Sequence, residues 1–468
     1  MKKFTKSIFA IAVLILLNIG VQIPKSFAQV ISAGEHFSTF LCNDGSVNAC
    51  GDNLYGQLGN GSTAKRDTIA VQVSGLTGII AVSAGSSHTL YLRNDGTVWA
   101  SGYNSAGQLG DGTMTNSLYP IQVLGLTGIT SISAGSYHSL FLKNDGSVWV
   151  CGVNNYGELG DGTTNQQLTP VKLSGLSGIM GISGGQSFSL FLKNNGTVLA
   201  CGNNWYGQLG NGVADFNLYS TPTLISGLSG VKAISAGKDF SLFLLNDGTV
   251  MACGKNSWGA LGDGTTSYKT TPVQASGLSN IVALNGGGSH SLFLKNDGSV
   301  WACGGNNSGQ LGDGTTTPQK IAIQITGLNG VKAVSAGNDH SLFLKGDGSV
   351  WATGYNANGE LGDGTTVNKV ISSSVLNLCN VVTSLKENSD VLKISISPNP
   401  FSGIFEVKSN MPEPLFISVY NIIGENVLTI TSNIMQTKID LMNQPKGIYF
   451  INIQNKSGLK FNGKVVNQ

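Results

Sequence analysis

Charged residues are scarce in this chain of 468 amino acids, where Asp, Glu, Lys and Arg make up 11%. Hydrophobic residues make up 41%, a balance opposite to that of disordered chains, which combine low hydrophobicity with high charge. The eleven prolines are too few for a proline-rich stalk, and the lack of long stretches of strong helix formers argues against a helical bundle. Glycine, in contrast, is abundant: its 65 residues have no triplet period and so indicate many turns rather than collagen.

The sequence also lacks a basic stripe and the common catalytic motifs. Residues 29–380 hold fifteen Lys and Arg against nineteen Asp and Glu, so this part is weakly acidic. Because nucleic-acid binding draws much of its affinity from neutralised phosphates, we expect no nucleic-acid partner. A Gly-x-Ser-x-Gly elbow, a P-loop, a His-Glu-x-x-His motif and a dinucleotide fingerprint are missing, and we expect neither catalysis nor a cofactor.

The first 28 residues have the pattern of an export signal peptide. Lys2, Lys3 and Lys6 precede an apolar run from Ile8 to Leu17, and Ser26-Phe27-Ala28 fits a small-x-small cleavage site. Ten apolar residues span about 15 Å of helix, half of a bilayer. An uncleaved anchor is the alternative. Because no later run approaches eighteen apolar residues, we expect no membrane span in the mature chain.

Residues 29–380 repeat one unit seven times. The phrase SLFLKNDGSVWVCG at residues 139–152 recurs at spacings of 51, 50, 50, 52, 50 and 50 residues. A fixed period of this length is typical of repeat architectures. One position of the phrase, an aspartate in six units, is filled by Asp44, Asp95, Asp145, Asn195, Asp247, Asp297 and Asp347.

Each unit predicts four short strands. In the last unit the first three are predicted near 331–335, 341–345 and 349–353, and the Asp-Gly between the second and third favours a tight hairpin turn. Consecutive apolar residues such as Leu140, Phe141 and Leu142 indicate sheets covered on both faces. Seven such sheets are most simply arranged as a seven-bladed β-propeller, which makes the protein all-β; an open solenoid is the alternative.

The phrase SAGSYHSLFLKNDGSVWVCGVNNYGELGDGTT at residues 133–164 resembles the repeats of the regulator of chromosome condensation family. The resemblance covers about 350 residues and implies a seven-bladed propeller. The founder of the family exchanges guanine nucleotide on a small GTPase at chromatin. Here the longest spacing, 52 residues, leaves no room for the founder's extra hairpin, and the acidic balance disfavours chromatin.

The period stops near residue 392, and residues 392–468 predict a small β-sandwich after a linker at 381–391. This segment resembles the C-terminal sorting domain of the type IX secretion system. The resemblance implies contact with that machinery and export through the periplasm to the cell surface or the medium. An ordinary adhesive sandwich is the alternative. The motif positions that carry the resemblance are Pro398, Asn399, Pro400, Gly447 and Tyr449.

Most residues that could carry chemistry occupy repeated positions. Four histidines share a position that is Phe in the other units, so we interpret it as a packing position whose imidazole bonds locally; they are His88, His138, His290 and His340. Five cysteines share a position on the third strand. Cys42 and Cys379 lie outside it, and in an exported chain they are a candidate disulfide that would close the ring.

The Leu-Gly-Asp-Gly-Thr phrases hold one carboxylate per unit and lack the ligand spacing of an EF-hand. We interpret them as Asx-type turns rather than calcium sites, and we expect no metal.

The units differ most in the long loops after the third strand, whose variable positions are rich in aromatics. Exposed aromatic side chains are enriched at binding hot spots, although packing over neighbouring loops is the alternative. The candidate binding residues are Tyr55, Tyr103, Tyr137, Tyr156, Trp205, Tyr206, Trp258 and Tyr355.

Three functions remain open from the sequence. The first is an exported, non-enzymatic scaffold that engages an extracellular protein through these loops. The second is a glycan-binding surface adhesin, since aromatics beside Asn and Asp suit sugar rings. The third, by family resemblance, is activity like that of a guanine-nucleotide exchange factor.

Overall fold

The computed structural model describes residues 30–379, 394–409, 414–434, 436–455 and 460–468. The predicted signal peptide (1–28) and linker (381–391) lie outside the described residues. The chain divides into two compact units between Cys379 and Asn380. All regular elements of the described residues are β-strands.

The first unit contains seven four-stranded antiparallel sheets, here called blades 1 to 7, each built from four consecutive strands. Blade 1 consists of β1 (Ile31–Ala33), β2 (Phe37–Leu41), β3 (Val47–Asp52) and β4 (Arg66–Gln72). Blade 2 consists of β5 (Ile79–Ala84), β6 (His88–Arg93), β7 (Val98–Gly102) and β8 (Ser117–Gln122). Blade 3 consists of β9 (Ile129–Ala134), β10 (His138–Lys143), β11 (Val148–Gly152) and β12 (Gln167–Lys172), and blade 4 consists of β13 (Ile179–Gly184), β14 (Phe188–Lys193), β15 (Val198–Gly202) and β16 (Tyr219–Leu224). Blade 5 consists of β17 (Val231–Ala236), β18 (Phe240–Leu245), β19 (Val250–Gly254) and β20 (Lys269–Gln274). Blade 6 consists of β21 (Ile281–Gly286), β22 (His290–Lys295), β23 (Val300–Gly304) and β24 (Gln319–Gln324). Blade 7 consists of β25 (Val331–Ala336), β26 (His340–Lys345), β27 (Val350–Gly354) and β28 (Lys369–Ser374).

The Asp-Gly turn, which is Asn195-Gly196 in blade 4, fixes the register of the two central strands in every blade. In blade 3 the Asp145 carboxylate accepts hydrogen bonds from the Ser147 amide (2.9 Å) and hydroxyl (2.6 Å). Gly146 follows with φ +77°, which a residue with a Cβ rarely adopts. The turn pairs Phe141 with Trp149 across β10 and β11, so the apolar positions of both strands fall in one layer.

The hydrophobic cores lie between blades, as the consecutive apolar residues predicted. One core joins Leu90 and Val98 of blade 2 to Ile132, Phe141 and Cys151 of blade 3. Phe141 is fully buried, and burial of a side chain of this size contributes about 2–3 kcal/mol. A blade therefore depends on its neighbours for the cover of both faces, which a closed ring supplies to all seven.

Two glycines per blade allow the backbones to meet at the turns. A Cβ on Gly135 would lie 2.2 Å from the His138 ring, and a Cβ on Gly152 (φ +108°) would lie 2.5 Å from the Tyr137 carbonyl oxygen. A larger residue would clash at either position, which explains why the repeat has glycine after Ala134 and after Cys151.

The ring is closed without exchange of a strand. In each blade a side chain of the first strand accepts a hydrogen bond from a backbone amide of the next blade, and Ser335 of blade 7 accepts in this way from the Ala33 amide of blade 1 at 3.0 Å. The other six pairs have the same geometry, with Asn285 replacing serine in blade 6. The junction of blades 7 and 1 thus repeats the other six junctions. The first strands line a central channel of about 960 Å³.

A disulfide bond between Cys42 and Cys379 also joins blade 1 to the end of blade 7, with 5.3 Å between the two Cα atoms. Closely beside it, the Asn48 amide contacts the Asn377 carbonyl oxygen. The first blade and the last described residue of the propeller are therefore joined covalently.

The second unit is a small β-sandwich. One sheet contains β29 (Ile394–Ser397), β30 (Ile404–Ser409) and β33 (Gln436–Asp440). The other contains β31 (Leu415–Tyr420), β32 (Asn426–Ser432), β34 (Gly447–Asn455) and β35 (Lys460–Asn467). Alternate residues of both sheets, such as Phe405, Ile417 and Ile453, are buried between them.

Candidate binding face

One end of the propeller carries the variable segments. Because each sheet runs up and down, the turn between its first and second strands and the loop between its third and fourth strands lie at the same end. This end is called the loop face, and the Asp-Gly turns lie at the opposite end. All eight aromatic residues singled out in the sequence lie in these turns and loops.

A conserved asparagine position holds each long loop in shape. In blade 2, Asn104 Oδ1 accepts from the Leu109 amide at 2.9 Å, while its Nδ2 donates to Asp111 and to the carbonyl oxygens of Thr113 and Thr115. Asp111 also accepts from the Thr113 amide and hydroxyl, so it forms an Asx-type turn. The loops are therefore preorganised by side-chain hydrogen bonds.

Three of the aromatics form a contact chain over blades 1 to 3. The rings of Tyr55 and Tyr103 are 4.7 Å apart between centroids, and those of Tyr103 and Tyr137 are 6.0 Å apart. Tyr137 is 38% exposed, whereas the other two are half-buried. Packing between loops and exposure to solvent therefore occur together in this group, because the rings contact one another while Tyr137 stays partly exposed.

A second aromatic group covers blades 3 to 5. Trp205 contacts Tyr156 (5.3 Å between centroids) and Phe216 (5.5 Å). Tyr206 contacts Tyr268 at 5.0 Å, with the Lys255 ammonium 4.5 Å from the Tyr206 ring centre. Trp205 is 39% exposed and Phe216 is 80% exposed, which leaves a large apolar surface at this part of the face.

The last two aromatics lie apart from these groups. Trp258 is 46% exposed and lines a cavity with Lys238, Lys255 and Asp339. Tyr355 contacts the His36 ring at 5.7 Å, and His36 Nδ1 lies 3.8 Å from the buried Glu360 carboxylate. The nearby Glu360 carboxylate is the main reason why the pKa of His36 is raised.

The sequence interpretation missed several residues of this face. Phe216 lies in the loop that makes one repeat spacing 52 residues long, so the extra length was its only signal. Tyr268 lies at the far end of its loop, just before β20, and outside the Gly-x-Asn-x-x-Gly segment at residues 254–259. Glu158 and Glu360 are buried carboxylates, and desolvation raises the pKa of Glu158 to about 7.

The four repeated histidines are buried, but the prediction that they bond locally was wrong. His138 Nε2 lies 2.9 Å from Ser189 Oγ, which belongs to the next blade. Ser189 donates its only proton to the Glu158 carbonyl oxygen, so the imidazole must donate from Nε2. The other three histidines likewise contact a serine of the next blade, namely Ser139, Ser341 and Ser38. Desolvation lowers the pKa of His138 and His290 to about 4, and that of His88 and His340 to about 3.

The five repeated cysteines are free and buried. The Cys151 thiol lies 3.7 Å from the Gln108 carbonyl oxygen of the preceding blade. Burial raises the pKa of Cys151 well above its ordinary value, so this position is a packing position rather than a nucleophile.

The sorting-motif residues lie together at one part of the sandwich. Asn399 donates to the Lys464 carbonyl oxygen at 2.9 Å and accepts from the Val466 amide at 3.0 Å, so it fastens β35. The peptide bonds before Pro398 and Pro400 are both cis. Tyr449 is buried and donates to the Pro445 carbonyl oxygen, and Gly447 begins β34.

Within the described ranges, His, Cys, Asp and Glu form no group of three that could hold a metal ion. The same ranges contain no helix able to cross a membrane.

Solved structures with a similar fold include yeast RCC1 (Prp20), which was crystallised bound to Kap60. It matches with a TM-score of 0.65 and 22% identity over 75% of this chain and 86% of its own, a likeness of fold alone. Human WBSCR16 matches with a TM-score of 0.62 and 25% identity over 67% of this chain and 86% of its own.

Among curated proteins, the human E3 ubiquitin-protein ligase HERC2 is 40% identical over 92 residues, which are 19% of this chain and 2% of the ligase. The zebrafish (Danio rerio) protein RCC2 homolog is 35% identical over 82 residues, which are 17% of each chain. The chain thus spans only a small part of the curated relatives it matches.

Family comparison covers both units. Residues 395–468 match the secretion system C-terminal sorting domain. Regulator of chromosome condensation (RCC1) repeats match residues 247–294 and 297–344, and the RCC1-like domain matches residues 17–252, half of the chain. The chain therefore belongs to the RCC1-like domain family, as a seven-bladed propeller followed by a secretion sorting domain.

Proposed function

We propose that this protein is an exported, non-enzymatic scaffold that binds an extracellular protein through the loop face. The sorting domain implies export to the cell surface or the medium. In this proposal the sorting domain is recognised by the secretion machinery, and the propeller acts after export.

The observation that carries the proposal is the aromatic surface around Trp205. Trp205 and Phe216 are exposed and in ring contact, although the repeat has small residues at the position of Trp205 in other blades, such as Ser105 and Ala357. Large, rigid aromatic side chains give contact area at low conformational cost, and they dominate protein–protein interfaces. The half-buried Tyr156 ring packs against Trp205 and restricts its orientation.

A glycan-binding adhesin is the second candidate. The cavity beside Trp258 combines an indole with ammonium, carboxylate and amide groups, a mixture that also suits a sugar ring. The nucleotide-exchange function, in contrast, receives no support from any feature of the described loops.

The test uses the full exported chain as bait for surface and secreted proteins, beside a glycan array. Trp205→Ala combined with Trp258→Ala should abolish capture of a protein partner and leave the melting temperature unchanged. Leu54→Ala, an exposed loop residue outside the aromatic groups, is the matched control. A large drop in melting temperature of the double variant, or glycan binding without a protein partner, would contradict the proposal.

A further inference from the structure

One position of the loop face carries a side chain that folds back onto its own loop. In six blades this residue is Gln or Glu, and its side-chain oxygen accepts a hydrogen bond from the backbone amide two residues earlier, at 2.8–3.1 Å. The six residues are Gln57, Gln108, Glu158, Gln208, Gln310 and Glu360. The loop is thus built around a carboxamide or carboxylate oxygen.

Blade 5 departs from this rule, because Ala260 occupies the position. The space that the missing side chain would fill belongs to a cavity of about 220 Å³, here called the blade-5 pocket. Gly288 widens it, since the corresponding turn residues of the other blades all have side chains, and a Cβ there would lie 2.4 Å from the Asn338 carbonyl oxygen. The floor is apolar, formed by Phe240 and Ala260.

The missing oxygen leaves a donor without an acceptor. By its place in the loop, the Trp258 amide corresponds to the six amides that bond to Gln or Glu. Among the described residues it has no hydrogen-bond acceptor. An amide hydrogen without an acceptor is unfavourable where water is excluded, so a ligand oxygen placed here would be favoured.

The charges of the walls indicate which oxygen fits. Lys238 and Lys255 both line the pocket. Lys255 is paired with Asp239 at 3.0 Å, whereas Lys238 has no ion-pair partner among the described residues. The one lining carboxylate, Asp339, already accepts from the amides of Gln310 and Asn338. Lys238 is therefore the charged wall group that makes no direct ion pair among the described residues, and its charge also acts on Asp339.

We propose that the blade-5 pocket binds the side-chain carboxylate of a glutamate presented by a protein partner, in the place that a Gln or Glu of the chain itself fills in the other six blades. The inference rests on the proposed function and names one contact within it. The carboxylate accepts from the Trp258 amide and faces Lys238, and the methylene groups lie on Phe240 and Ala260. Trp258 then covers the entrance.

The test follows the Trp258 amide directly. The full chain, labelled with ¹⁵N only at tryptophan, gives six backbone amide signals by NMR, and Trp258→Phe identifies the relevant one. Addition of the peptide acetyl-Gly-Glu-Gly-amide should shift that signal in a saturable manner. The peptides with Gln or Lys in place of Glu, and N-acetylglucosamine, test the alternatives.

Three variants make the result decisive. Ala260→Gln restores the side chain of the other blades, so it should shift the Trp258 signal without peptide and abolish the response to peptide. Lys238→Met should weaken binding of the Glu peptide about tenfold. Lys332→Met, the same change of charge at an exposed residue of β25, should leave it unaffected.

An equal response to all three peptides, binding of N-acetylglucosamine alone, or an undiminished response in Ala260→Gln would overturn the inference. Capture of the protein partner by variants of the full chain distinguishes failure of this inference from failure of the proposed function. Capture that is lost in Trp205→Ala with Phe216→Ala but kept in Ala260→Gln would refute the pocket and leave the binding face standing.

Discussion

Tyr91 Oη lies 3.0 Å from Ser101 Oγ, and both side chains are fully buried in blade 2. Blade 2 has Tyr where the other blades have Phe, and it is also the blade with Ser at the cysteine position. Two departures from the repeat therefore compensate each other, because each polar group satisfies the other in an apolar core.

This relationship predicts coupled stability changes. Tyr91→Phe should destabilise the propeller by about 1–2 kcal/mol, because it leaves the Ser101 hydroxyl without its partner. Tyr91→Phe with Ser101→Cys recreates the Phe–Cys pair of blade 3 and should recover most of that loss. Chemical denaturation of both single variants and the double variant measures the coupling, and simple additivity would contradict the relationship.

The Cys42–Cys379 disulfide should stabilise the closed ring. It joins residues 337 positions apart, and restricting so long a loop in the unfolded chain is worth about 6 kcal/mol on the chain-entropy account. Reductant should therefore lower the melting temperature of the oxidised protein. Cys42→Ser with Cys379→Ser should melt at the lower temperature whether or not reductant is present, and five buried free cysteines serve as internal controls in both proteins. Identical melting of the oxidised and reduced proteins would contradict this role.

The buried histidines should make the propeller sensitive to acid. Desolvation lowers the folded-state pKa of His138 from 6.5 to about 4, so between these values the unfolded chain binds more protons than the folded one. The free energy of unfolding should therefore fall as the pH drops from about 6.5 to about 4, by up to about 1.4 kcal/mol per pH unit for each such imidazole.

His138→Phe isolates this effect, because Phe188 and Phe240 occupy the same position in blades 4 and 5. The free energy of unfolding of the variant should depend less steeply on pH between pH 7 and pH 4.5, by the contribution of one imidazole. Denaturation curves across this range provide the measurement, and equal slopes for the variant and the parent protein would be inconsistent with a neutral buried His138.

Glu158 should have the opposite dependence. Desolvation raises its folded-state pKa from 4.5 to about 7, so its contribution to stability is fully present below pH 4.5 and is lost as the pH rises through about 7. Glu158→Gln, the residue of blade 4 at this position, keeps the acceptor for the Tyr156 amide. It should raise stability at pH 8 by roughly 2–3 kcal/mol and have little effect at pH 4.5, as measured by thermal and chemical unfolding. A gain that did not vary with pH would argue against an ionising Glu158.

Much of the fold could be predicted because the same pattern of strands and turns occurs seven times in the sequence. The Asp-Gly turns and the consecutive apolar residues predicted four strands per unit, and the strand ends differ from the structure by only one or two residues, as for β27 at Val350–Gly354 against 349–353. The loop-face location of the aromatics followed from the up-and-down order of the strands. Phe216 was missed since it departs from the repeat instead of filling one of its positions.

The sequence by itself determined a periodic all-β propeller, its sorting domain, and the loops that vary, because local turn chemistry and the alternation of buried faces are encoded along the chain. Only the tertiary structure decided what lies between units: the serine of the next blade that each histidine meets, the closure of blade 7 on blade 1, and the pocket left by Ala260. These features depend on groups about fifty residues or more apart that meet only when the ring closes, and no local pattern records such a distance.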